Sequence, residues 1–192
     1  MKEMLKMILV LSLICGLSGL TLATIREATS ERIEEQVLTY VQGPALKQVF
    51  SDYDNNPVKD RKSFETTSGP ITVFPALKDG KLVGVAFETY GGGYGGPVGV
   101  MVAISTDGEI VQGIGITTMK ETPGLGARAA EADYREQFRN QSPKEIALSK
   151  DGGKIQAISG ATITSVATVT AVGEAVKLFN QLKDKLPTAW GS

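Results

Sequence analysis

The 192-residue sequence has no histidine and a single cysteine, Cys15. Without imidazole there is no Ser-His-Asp or Cys-His machinery and no histidine-ligated metal. One thiol cannot close an intrachain disulfide, hold a four-thiolate iron–sulfur cluster or attach a c-type haem. A redox role therefore needs an organic cofactor, and no residue is assigned as a metal ligand or a catalytic side chain. A surplus of charge is also missing: 20 basic against 21 acidic residues leave a net charge of -1. Proteins that neutralise nucleic-acid phosphates carry a basic excess, so nucleic acid is not an expected partner. What is plentiful is glycine, with 22 residues against the usual ~7% of a chain, gathered in clusters rather than in a repeat.

One long apolar run is present. Residues 7–25, MILVLSLICGLSGLTLATI, carry no charge, and about 20 such residues cross a bilayer core. Lys2 and Lys6 precede the run, while Arg26, Glu27 and Glu31 follow it. That weak positive bias places the N-terminus in the cytoplasm and the remainder outside it. A cleaved signal peptide is the competing reading. Thr21-Leu22-Ala23 is a poor cleavage site, however, and Ser12-Leu13-Ile14 is a poor lipoprotein box before Cys15. The expectation is an uncleaved single-pass anchor over residues 1–26, set in the lipid of the plasma (inner) membrane, with Cys15 as a small apolar residue in it.

Residues 27–69 read as a membrane-proximal helix and loop. Ile33, Val37, Leu38 and Val41 share one helical face, Thr29 or Ser30 can cap it, and Gly43-Pro44 interrupts it. Residues 51–69 are polar and turn-rich, hence an irregular loop. Residues 70–186 form the main domain, beginning with two hairpins: 71–78 with 81–90 around Asp79-Gly80, and 97–106 with 109–118 around Asp107-Gly108. They predict an antiparallel sheet of at least four strands. A helix over 128–140, a strand at 145–148 and a turn at Asp151-Gly152-Gly153 come next. A long helix then places Val166, Val169, Gly173, Val176 and Phe179 on the sheet. Residues 187–192 read as a frayed tail. The fold class is α+β: an anchor helix, then an antiparallel sheet packed by helices.

Three segments could carry chemistry. Gly91, Gly93 and Gly96 formally satisfy G-x-G-x-x-G, but Pro97 and an apolar run follow where a dinucleotide fingerprint must open a helix. The segment is a connector between hairpins, or a loop whose missing side chains admit a flat ligand. Glu121-Thr122-Pro123-Gly124-Leu125-Gly126 is a strand-to-helix connector with fixed and permissive backbone in alternation. Ser159-Gly160-Ala161-Thr162-Ile163-Thr164-Ser165 puts four hydroxyls at a strand-to-helix junction. It suits a helix cap or a phosphate at a helix N-terminus.

Taken together, the tetrapeptide Ser159 to Thr162, the YGG-YGGP-GV pattern from Tyr90 to Val100, ETPGLGA from Glu121 to Ala127, the N-terminal anchor and the length resemble one family. It is the FMN-binding domain shared by the G subunit of the Rnf electron transport complex and the C subunit of the Na+-translocating NADH:quinone reductase, with the former favoured. The resemblance implies that Thr162 carries covalent FMN as a phosphoester, formed when its hydroxyl attacks a phosphorus of FAD with help from a separate FMN transferase. It implies that Ser159, Gly160, Ala161, Thr164 and Ser165 surround the attachment. Tyr90, Gly93, Tyr94 and Gly95 would border the isoalloxazine from one side, and Glu121, Thr122, Gly124, Leu125 and Gly126 from another. The implied function is a one-electron flavin relay in a ferredoxin:NAD+ oxidoreductase that pumps Na+ or H+, with the other membrane and soluble Rnf subunits as partners. Two positions depart from the family pattern: Gln156 stands where an aspartate is common, and Met119 where a histidine is frequent. The rivals are the quinone reductase's C subunit and, from another class, a flavin-free anchored interaction module in which SGAT is only a cap. If the helix starts near Ala161, Thr162 lies in its first turn beside free amides, whereas Thr164 and Ser165 lie deeper.

Overall fold

The computed structural model describes residues 1–190. It forms two compact units, Met1–Thr39 and the chain from Tyr40 onward. In the first, helix α1 runs unbroken from Lys2 to Val37, and none of its residues is buried. Its apolar window reaches a mean hydropathy of 2.3, enough in length and composition to cross a membrane. Thr29 and Ser30 do not cap a second helix. Their hydroxyls donate back to the Ile25 and Glu27 carbonyls, each at 2.8 Å, which satisfies such residues inside a continuous helix.

Gly43-Pro44 does not interrupt the helical run: a π-helical turn, Leu38–Gln42, leads directly into helix α2, Gly43–Val49. A proline inside a helical run removes one backbone bond, and the wider π turn just before Pro44 is a form in which helices absorb such a break. Five strands follow: β1 Lys62–Thr66, β2 Gly69–Lys78, β3 Lys81–Gly92, β4 Pro97–Ser105 and β5 Val111–Thr118. They pair antiparallel in chain order as a meander. Asp79 and Gly80 both take positive φ, 50° and 73°, the twist-matched hairpin turn expected of Asp-Gly. At the β4–β5 turn the Asp107 carboxylate accepts the Glu109 amide at 2.9 Å. The glycine run does not link two separate hairpins. Tyr90, Gly91 and Gly92 continue β3, Gly92 pairs with Pro97, and residues 93–96 are themselves a hairpin turn, with the Gly93 amide bonded to the Gly96 carbonyl at 2.9 Å. Strand β1 lies where a loop was expected, so the sheet begins upstream of residue 70.

Helix α4, Thr162–Leu182, packs across β3 and β4. The expected stripe holds in part: Phe179 is buried and Val169 and Val176 pack partly against the core, whereas Val166 is 42% exposed and Gly173 is exposed. The centre of the buried face is displaced from it, to Thr164, Ser165, Ala167, Thr168, Ala171, Val172 and Ala175, with Phe179 and Leu182 buried further along. The reason is spacing. A Cβ on Gly91 would lie 1.9 Å from the Ala167 carbonyl oxygen, so helix and strand backbones touch, and small residues are what the contact admits. The Thr89 hydroxyl adds a bond to the Ala171 carbonyl at 2.8 Å. Val85, Phe87, Val100, Val102 and Phe138 complete the apolar core on this face, each buried side chain contributing about 1.5–3 kcal/mol. The opposite face takes α2, whose Ala45 lies against Gly115.

The expected helix over 128–140 is broken into the 3-10 turn Gly126–Ala130, helix α3 Ala132–Arg135 and the 3-10 turn Glu136–Phe138. Glu131 is extended, with φ -69° and ψ 147°, which ends the first turn. Residues 145–148 and 154–158 make no strand; a single parallel bridge joins Leu148 to Ile155. The chain doubles back so tightly there that a Cβ on Gly153 would meet the Ala147 carbonyl oxygen at 2.1 Å. The tail is docked up to residue 190. In helix α5, Leu186–Trp190, the Trp190 indole donates to the Asp60 carbonyl at 2.8 Å and its ring packs on Phe64 at 5.7 Å. Residues 191–192 of the expected tail lie outside the described residues.

Candidate functional site

The three segments singled out in the sequence converge at one end of the meander. The β3–β4 hairpin tip, the connector leaving β5 and the start of α4 enclose a cleft of about 480 Å³. It is lined by Tyr94, Glu121, Thr122, Leu125, Gly126, Gly160, Ala161, Thr162, Ile163 and Thr164. Ile163 was not among the expected residues. Its signal is its place beside Thr162 in the hydroxyl-rich segment, and it is exposed like Leu125 and Tyr94.

The start of α4 is built by its own loop. Gly160 takes φ +78°, a left-handed conformation that favours glycine. The Ala161 amide bonds the Ile158 carbonyl at 2.9 Å. The Ser165 hydroxyl closes the turn, accepting the Ile158 amide at 2.9 Å and donating to the Ala161 carbonyl at 3.1 Å. No side chain caps the helix, so its first amides have no intrahelical acceptor and face outward with the positive end of the dipole.

This geometry sorts the four hydroxyls. Thr162 is the first residue of α4 and is exposed at the cleft. Thr164 is buried and donates to Glu121 Oε2 at 2.7 Å. Ser165 is fully buried in the bonds just described. Ser159 is exposed but lines a neighbouring cleft with Arg128, Tyr134 and Gln156. Ser165→Ala leaves the buried Ile158 amide without its partner and should cost about 1–3 kcal/mol. A urea titration of the variant checks this; an unchanged midpoint would mean that the turn is held otherwise.

The remaining expected residues divide. Gly93 and Gly95 stand behind the cleft, around Glu121, whose Oε1 accepts the Gly95 amide at 3.1 Å. Gly124 takes φ +75° with open space around it, so backbone conformation and not crowding calls for glycine there. Tyr90 is not brought to the cleft. Its strand neighbour Thr89 bonds α4, so alternation turns Tyr90 to the α2 face, beside Gly99 and Glu88. Burial first, and then the charge of and hydrogen bond to Glu88, hold its phenol above the ordinary tyrosine value. Glu88 is in turn held by Gln42 and Thr117. Gln156 is fixed through its backbone, its amide donating to Gln137 Oε1 at 2.7 Å, while the side chain is exposed. Met119 is packed against the core.

These walls suit the group that the sequence resemblance implies. The cleft lies within the ~300–1,000 Å³ of small-ligand sites. Tyr94, Leu125 and Ile163 offer apolar surface to a planar ring, free amides at the helix start suit a phosphate, and Thr162 is exposed on the same cleft. Among the described residues, no group of three or more acidic, histidine or cysteine side chains could hold a metal ion.

Comparison with known proteins agrees with this layout. The FMN-binding domain model matches residues 93–177, spanning all the segments of the cleft. The G subunit of the proton-translocating ferredoxin:NAD(+) oxidoreductase complex of Clostridium ljungdahlii is 31% identical over 170 residues, covering 87% of this chain and 86% of that protein. Its counterpart in the Na(+)-translocating ferredoxin:NAD(+) oxidoreductase complex of Acetobacterium woodii is 32% identical over 197 residues, with 94% of each covered. The crystal structure of Shewanella oneidensis NqrC shares the fold, with a TM-score of 0.50 at 20% identity over 75% of this chain and 82% of that one.

Proposed function

The chain belongs to the G-subunit family of ion-translocating oxidoreductase complexes, and from that premise we propose that it carries FMN covalently on Thr162. It is a redox subunit of a multi-subunit Rnf-type complex, an electron carrier and not a complete enzyme. The observation that carries the proposal is the sorting of hydroxyls at the start of α4: of the two from the Ser159–Ser165 segment that line the cleft, Thr162 is exposed, whereas Thr164 is buried and bonded to Glu121. Bound FMN supplies the electron-transfer chemistry. Thr162 would hold it through a phosphoester, its oxygen taking the place of AMP on the FMN phosphorus of FAD, with a separate FMN transferase accepting the hydroxyl proton. The one negative charge left on such a diester would be received by the free amides at the start of α4. Gly160 and Ala161 lead into Thr162 at the cleft, and Tyr94, Leu125 and Ile163, with Thr122 and Gly126, would form the surface for the ring. A tethered carrier cannot lose its cofactor by dissociation.

The protein is membrane-associated through α1. The finer reading is that residues 1–26 remain as a single-pass anchor in lipid, with the N-terminus cytoplasmic and the FMN-binding domain outside. Intact mass of the protein purified from membranes, after co-expression with an FMN transferase, tests both points in one measurement. The expected mass is the full chain plus one FMN phosphoryl adduct. A mature start near Thr24 would remove the anchor. A full-length mass without adduct, together with no visible flavin spectrum, would favour a flavin-free interaction module.

A further inference from the structure

We propose, on the reading that Thr162 bears FMN, that Glu121 is the positioning residue of the site: its carboxylate fastens the β3–β4 hairpin tip to the first turn of α4. Both oxygens are engaged. Oε1 accepts the Gly95 amide at 3.1 Å, and Oε2 accepts the Thr164 hydroxyl at 2.7 Å. The two donors lie 26 and 43 residues away in the chain, so one side chain joins all three segments of the cleft. Bonds to an ionised acceptor are stronger than neutral ones.

The glycines around this carboxylate show what they make room for. A Cβ on Gly93 would stand 2.4 Å from Oε1, and one on Gly126 would stand 2.5 Å from Oε2. A Cβ on Gly95 would meet the Lys120 carbonyl oxygen at 1.8 Å. Glycines that in the sequence suggest an opening for a flat ligand therefore admit Glu121. Thr164 is two residues beyond Thr162 on the same helical turn, so its bond fixes the rotation that presents Thr162 to the cleft. The Gly95 bond fixes the tip that carries Tyr94. Glu121→Ala removes both bonds. Glu121→Gln keeps a carbonyl oxygen for the Gly95 amide and an N–H for the Thr164 hydroxyl oxygen, and is the conservative rescue.

The test uses the full chain, co-expressed with an FMN transferase and purified in detergent. Glu121→Ala and Thr164→Val should each keep the adduct on Thr162, yet lose the high fluorescence anisotropy of an immobilised flavin and gain a several-fold larger iodide quenching constant. The double variant should add little, and Glu121→Gln should behave as wild type. Wild-type anisotropy and quenching in loaded Glu121→Ala, or a Gln variant as loose as the Ala variant, would overturn the assignment. A parallel cycle in flavin-free Thr162→Ala protein reads the urea midpoint. Non-additive shifts for Glu121→Ala and Thr164→Val support the clasp, and additive shifts sink it. No flavin on the wild-type chain would defeat the Thr162 reading instead, and the cycle would still decide the clasp.

Discussion

Thr162→Ala, co-expressed with an FMN transferase, is expected to yield a folded protein whose denatured gel band has lost all ultraviolet fluorescence, while Thr164→Ala retains it. The contrast is large because covalent attachment is all or none at one oxygen. Thr162 is an exposed first helical residue with no side-chain cap to compete for the neighbouring amides. Its loss removes no buried contact, so folding should change by no more than about 0.5 kcal/mol, as for surface substitutions generally. Thr164 is the reverse case, buried and bonded to Glu121, so its loss disturbs packing and leaves the adduct in place. Peptide mass spectrometry that located the phosphate on Ser159, Thr164 or Ser165 would refute the assignment.

The second large effect concerns neighbouring glycines with opposite roles. At Gly91 a methyl group would sit 1.9 Å from the Ala167 carbonyl oxygen, whereas at Gly92 nothing lies within 4 Å. Gly91→Ala must push α4 away from β3 and should cost about 3 kcal/mol, a fall in Tm of roughly 10 °C. Gly92→Ala should stay within about 0.5 kcal/mol of wild type. Thermal unfolding of the two variants side by side checks the pair; equal effects would mean that α4 does not rest directly on the strand.

The pattern of glycines also shows what could be read in advance. Asp79-Gly80 and Asp107-Gly108 announced their turns because the φ > 0 requirement is local and names its residue types. The site segments were legible as motifs, and the structure gathers nine of the expected residues in one cleft. What escaped was set by long-range packing. Strand β1 hides in a charged stretch because it lies at the end of the meander and packs Phe64 against Trp190, which is far away in the chain. The stripe of valines on α4 found only the margin of the buried face: Val169 and Val176 pack at its edge and Val166 lies outside it, because alanines such as Ala167 and Ala171 are what fits where helix and strand come closest. Tyr90 and Tyr94 look equivalent in sequence. Strand alternation sends one to the α2 face, and the hairpin turn leaves the other at the cleft.

The meander also has a polarity of freedom. Its strands place the cleft at one end and the Asp79-Gly80 turn at the other, where a Cβ on Gly80 meets nothing. The nine residues of β4 separate the two ends by roughly 30 Å at about 3.3 Å per residue. Inserted sequence, a fluorophore or an affinity handle at that turn would be remote from every wall of the cleft, and exposed turns of this kind are where chains accept such additions. The neighbouring Asp107-Gly108 turn offers no such latitude, because a Cβ on Gly108 would strike the Phe179 ring at 2.4 Å. Of the two turns at that end, only the first leaves room for a graft.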